Sequence, residues 1–182
     1  MESKTEQAVI TSAEEKISKL TEFTDQGIEI IKNGQYRDAI RHFDNKKFAT
    51  SLGFMFGDAK VKVIHKDIEE SEDIQNIVDF VSYHSHFNQN GGKLLEIKLA
   101  DIVTLKFTDE GGEYHIPEKI WQNIALVHLE EWLHSIQFLS QKPLAGEEEE
   151  EIDVALFMRQ KGIKLTDEFL SRHGRSTALS TD

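Results

Sequence analysis

The sequence predicts an α+β protein, because helical patterning comes first, strand patterning next and helical patterning again. Three observations carry this. Residues 12–43 keep an apolar rhythm of helical period, residues 59–65 alternate apolar and charged side chains, and residues 118–139 form a long apolar-rich helix opened by Pro117. With 182 residues, 38% of them apolar and 30% charged, the chain can bury a real core. The expected division is a disordered start at 1–11, a helical hairpin region at 12–58, an α+β domain at 59–174 and a loose tail at 175–182.

Ser12 is a good N-cap, and Glu14 and Glu15 place negative charge where a helix start favours it. Ile17, Leu20, Phe23, Ile28, Ile30 and Ile31 supply an approximately helical apolar rhythm, which Asn33-Gly34 stops. A second helix carries Tyr36, Ala39, Ile40 and Phe43 on one face. Gly27, Gly34, Tyr36, Ala39, Ile40 and Phe43 together resemble one tetratricopeptide repeat. A single repeat cannot bury its own face and no second copy follows, so the expectation is a helical hairpin packed on the rest of the chain.

The middle reads as a small, mostly antiparallel sheet. Residues 59–65 are its first strand, a short polar helix is expected around 67–76, and 78–87 read as a strand. Residues 88–92 and Gly111-Gly112 are turns; 94–99 and 102–107 are two further strands, and Tyr114-His115-Ile116 is a short edge strand. Pro117 then opens the long helix, where its missing N–H costs nothing. Pro143 and Gly146 mark a loop, a helix runs from the acidic stretch at 147–151 to Gly162, and Thr166 caps a last short helix ending at Gly174.

A formal net charge of −12 and a pI near 5.1 argue against nucleic acid as a partner, since phosphates would be repelled. The local basic group Arg37, Arg41, Lys46 and Lys47 does not reverse that balance. The chain has no cysteine, which excludes disulfides and thiolate metal sites. No run approaches the roughly 18 consecutive apolar residues of a membrane span, and the polar, acidic N-terminus lacks the pattern of a signal peptide. No membrane association is expected, and a cytoplasmic location is.

The chemistry concentrates on the long helix. At about 100° per residue, Trp121, Ala125, Leu129, Trp132, Leu133, Ile136 and Leu139 share one broad apolar face. The other half carries Glu130, His134, Glu131 and His128. Glu130 and His134 stand about 40° apart, Glu131 and His134 about 60°. That half also holds Ile120, Ile124, Val127 and Phe138, which a water-facing surface would not carry. Both halves are therefore expected to be covered, and carboxylates beside an imidazole in such a place need a metal, each other or a cleft. The plain alternative is a local Glu131–His134 ion pair, with Glu130 reaching solvent.

Glu130-Glu131-Trp132-Leu133-His134-Ser135-Ile136-Gln137 resembles the active helix of zincin metallopeptidases, H-E-x-x-H, often followed by x-x-Q. In that family two histidines bind zinc and the glutamate activates the metal-bound water. The resemblance matches His134 to the second ligand and Glu131 to the general base, and puts Glu130 at the first-ligand position. The gluzincin branch takes a third ligand from a glutamate on a following helix. Glu151-Ile152-Asp153-Val154-Ala155 is similar to that setting and implies Glu151. The similarity spans residues 94–162.

A Glu130, His134, Glu151 set has one nitrogen and two carboxylates. It is harder and more anionic than the family's own, so manganese or iron joins zinc as a candidate. The extra charge also makes a bound water less acidic. His128, about 120° from His134, is a poor substitute ligand. Glu131-x-x-His134 is also the pairing of di-iron bundles, which need two such motifs where this chain has one. His84-x-His86 would point both imidazoles to one face of a strand. The expected function is a metal-dependent hydrolase acting on a peptide or protein. The alternative is a noncatalytic binding or regulatory protein that keeps the scaffold and uses its N-terminal hairpin as a partner surface.

Overall fold

The computed structural model describes residues 12–64, 71–89, 95–105 and 116–173. The expected loose ends, the Gly91-Gly92 and Gly111-Gly112 turns and Tyr114-His115 of the edge strand lie outside these residues.

Helix α1 (Ala13–Lys32) begins where Ser12 accepts the Glu15 N–H on its hydroxyl at 3.3 Å, and ends at Asn33. Gly34 then turns the chain at φ 77°, a conformation that favours glycine. Helix α2 (Tyr36–Phe43) folds back on α1. The hairpin is closed tightly: a Cβ on Gly27 would lie 2.2 Å from Phe43 Cζ. A third short helix, α3 (Lys46–Ser51), follows, capped by Asn45 through the Phe48 N–H at 2.9 Å.

Strand β1 (Met55–Ile64) starts earlier than the 59–65 alternation suggested. The next element corrects the sequence reading. Helix α4 spans Ser71–Tyr83, so most of the expected 78–87 strand is helix, and only β2 (His86–Asn88) is extended. Ile74, Val78 and Val81 are its buried residues, at spacings of helical and not strand period. The two strands expected at 94–99 and 102–107 are one, β3 (Glu96–Leu105), unbroken through Ala100 and Asp101.

The sheet order is β1-β3-β2. It is mixed, not mostly antiparallel: β1 pairs with β3 in parallel, Ala59 opposite Ala100, and β2 pairs with β3 antiparallel, Phe87 opposite Ile97. A parallel return needs a long crossover, which α4 supplies. Where the β2 pairing runs out, side chains replace it. The Ala100 N–H donates to Ser85 Oγ at 3.0 Å, and His128 Nε2–H donates to the Ala100 carbonyl at 2.8 Å. The backbone polar groups at this sheet margin are thereby satisfied.

Helix α5 (Glu118–Ser140) is central, touching α1, α2, α4, β2 and β3 as well as the two helices that follow. Both of its halves are covered as expected, with Ile120, Ile124 and Val127 as buried as Trp132 and Leu133. Trp132 seats the hairpin: its indole N–H donates to the Phe43 carbonyl at 3.0 Å, and its ring meets Phe23 edge-on at 4.7 Å. Burial of such a ring is worth about 3–5 kcal/mol against alanine. One hydrophobic core runs from Leu20 through the sheet to Phe169, so the hairpin and the α+β region share it.

Helix α6 (Glu150–Gln160) ends before Gly162 at φ 89°, and α7 (Asp167–His173) is capped by Thr166, which accepts the Phe169 N–H at 3.1 Å. No helix among the described residues is long and apolar enough to cross a membrane.

Candidate metal centre

Helix α5 carries Glu130 and His134 one turn apart, and the first turn of α6 brings up Glu151. One ligand-type atom from each lies within 4.8 Å of the others. His134 Nε2 is 3.5 Å from Glu130 Oε2 and 3.8 Å from Glu151 Oε1. Two ligands held at roughly 2.0–2.2 Å on a tetrahedral ion stand roughly 3.3–3.6 Å apart, so little movement would close the set. The group can hold a metal ion. Its two carboxylates and one neutral imidazole would balance a divalent charge.

Burial sharpens the demand for a cation. Glu130 is 1% exposed and the His134 side chain 14%, whereas the Glu151 side chain, 43% exposed, forms the open side. A buried carboxylate needs hydrogen-bond donors or a positive partner to offset its lost hydration. Without a metal, protonated His134 supplies it. Burial pushes the His134 pKa down, but the hydrogen bond to Glu130 and the negative charges of Glu130, Glu131 and Glu151 outweigh that and push it up to about 10. Either a proton or a metal ion must lie between Nε2 and the carboxylates.

The other imidazole nitrogen is committed. Nδ1–H of His134 donates to Gln137 Oε1 at 2.7 Å. Gln137 in turn donates to Asp153 Oδ2 at 2.8 Å. Asp153 is fully buried; burial pushes its pKa up, but the Gln137 amide and the N–H groups of Leu144, Ala145 and Glu147 hold its carboxyl below the usual range.

Glu131, 6% exposed, points differently from Glu130. Its Oε1 accepts the Phe87 N–H of β2 at 2.7 Å. It lines, with Glu130, His134 and Glu151, a cleft of about 280 Å³ whose other walls include His86 and Phe138.

All four sequence-derived site residues thus meet at one cleft. Glu130 does not reach solvent as the plain alternative had it, and His134 Nε2 faces Glu130 and Glu151. His128 is 1% exposed and spends Nε2–H on Ala100; burial pushes its pKa down, and it is a neutral core histidine. His84 and His86 form no strand pair: His84 follows α4 and packs against Phe80 and Tyr83, while His86 alone reaches the cleft. Nothing local in the sequence assigns His86 or the Phe87 N–H to this site, because both depend on where β2 docks. No protein family, curated protein or solved structure matches this chain.

Proposed function

We propose that the protein is a metal-dependent hydrolase of peptide or protein bonds, with Glu130, His134 and Glu151 as metal ligands and Glu131 as general base. The observation that carries this reading is the convergence of three ligand-type atoms from two helices, with a further carboxylate on the wall of the same cleft. A divalent ion bound there would supply Lewis acidity and a more acidic water. Glu130 and Glu151 would hold it by charge, His134 by the Nε2 lone pair, and Glu131 would take the proton from the attacking water. The zincin resemblance favours zinc, and the two carboxylates also suit manganese or iron.

One observation favours the noncatalytic reading, in which the metal only braces a binding or regulatory protein. The Phe87 N–H already occupies one oxygen of Glu131, which gives this carboxylate a structural role in holding β2. Glu131→Gln separates the two. The hydrolase reading expects unchanged metal content and lost cleavage of a peptide library. Unchanged cleavage removes Glu131 as the base.

A further inference from the structure

The three ligand atoms come from two helices, so they converge only while α5 and α6 keep their register. Gln137 joins them. Its Nε2 donates to the Glu150 carbonyl at 3.2 Å, in the first turn of α6 beside Glu151, and to Asp153 Oδ2 at 2.8 Å. Its Oε1 accepts His134 Nδ1–H at 2.7 Å. The amide cannot be turned over, because its oxygen would then face a carboxylate and a carbonyl, acceptor against acceptor. Gln137 is itself buried, at 7% exposed.

Asp153 is fixed in its turn. Its Oδ2 accepts the Leu144 N–H at 2.6 Å and its Oδ1 accepts the Ala145 N–H at 2.7 Å and the Glu147 N–H at 3.2 Å. These donors belong to the turn between α5 and α6. The carboxylate therefore dictates the sense of the whole chain: Asp153 accepts, Gln137 donates to it and accepts from His134, and the proton of His134 must sit on Nδ1. What remains for the cleft is Nε2.

We propose that Gln137 is the positioning residue of this centre, with Asp153 as its anchor. Gln137 holds the His134 proton on Nδ1, so that Nε2 is the metal-binding nitrogen, and it ties the first turn of α6, with Glu151, to α5. The proposal rests on the reading of Glu130, His134 and Glu151 as metal ligands. A glutamine that served packing alone would contribute to stability and leave the nitrogens of His134 indifferent.

The test uses the full chain with isotope-labelled histidine, titrated with zinc and followed by NMR of the ring nitrogens. In the unsubstituted protein the expected result is zinc on His134 Nε2 with Nδ1 protonated. Gln137→Leu is expected to lower zinc affinity roughly 10–100-fold and to free the Nδ1 proton to exchange. Gln137→Met keeps the length and burial of the side chain without its amide, so loss of the Nε2 signature in it supports positioning over packing, and an unchanged signature overturns the proposal. Zinc on Nδ1, or a Gln137→Leu protein with unchanged affinity and an unchanged His134 signature, overturns the proposal. If Gln137→Leu does not fold, the unsubstituted protein and Gln137→Met decide it by the same signature. A protein that takes up no zinc, manganese or iron sinks the metal reading instead. Positioning is then read in the metal-free protein, where a slowly exchanging Nδ1–H supports it and a freely exchanging one overturns it.

Discussion

The Phe87 N–H donates to Glu131 Oε1 at 2.7 Å, tying the short edge strand to the central helix. The contact gives Glu131 a structural duty beside any catalytic one, and two substitutions separate them. Glu131→Gln keeps an oxygen for the Phe87 N–H, so stability should stay within about 1 kcal/mol, while hydrolysis falls by roughly 100-fold or more. Glu131→Ala removes the acceptor and should cost about 1–3 kcal/mol in denaturant unfolding. Equal stability of the alanine variant would contradict the contact, and full activity of the glutamine variant would remove Glu131 as the base.

The proton on His134 makes the metal-free protein sensitive to alkali. Its pKa is raised from 6.5 to about 10, chiefly against burial and by Glu130, so the folded state holds this proton more tightly than the unfolded chain. The associated stability is fully present below pH 6.5 and is lost as pH rises through about 10. The unfolding midpoint of metal-free protein should fall across that window, and less so in a His134→Asn variant.

Metal uptake at neutral pH must expel the same proton. Calorimetry in two buffers of different ionisation heat should show close to one proton released per ion bound, because Nδ1 keeps its proton on Gln137. A binding heat independent of buffer would mean that His134 Nε2 does not take the ion.

Gly27→Ala tests the hairpin. In an ordinary helix interior this change gains about 1 kcal/mol. Here the new Cβ would lie 2.2 Å from Phe43 Cζ and 2.5 Å from Cε1, and the Phe43 ring is fully buried between α1 and α5. Overpacking should win, with a net loss of about 1–3 kcal/mol measured by chemical unfolding. A rise in stability would show that the hairpin opens freely.

What the sequence made legible follows from what is local. Caps and stops at Ser12, Gly34, Gly162 and Thr166 act within a turn of their own residue, and each is where expected. The helical face shared by Glu130, Glu131 and His134 is likewise local. The 78–87 stretch misled because Phe80 and Tyr83 are apolar yet 52% and 80% exposed, which blurs the buried Ile74, Val78, Val81 stripe of α4. Ala100-Asp101 looked like a break in a strand pattern, but β1 pairs straight across it. Parallel pairing, the docking of β2 on Glu131 and the role of His128 at the sheet margin all depend on partners distant in sequence. Glu151 was legible only through the resemblance, because its approach to His134 is set by the turn that Asp153 organises.

Metal analysis of protein purified without chelator reads directly whether Glu130, His134 and Glu151 hold one divalent ion. The expected result is close to one equivalent of zinc, manganese or iron, absent from a folded His134→Ala variant. Metal-free protein whose unfolding midpoint does not move when any of these ions is added would contradict it.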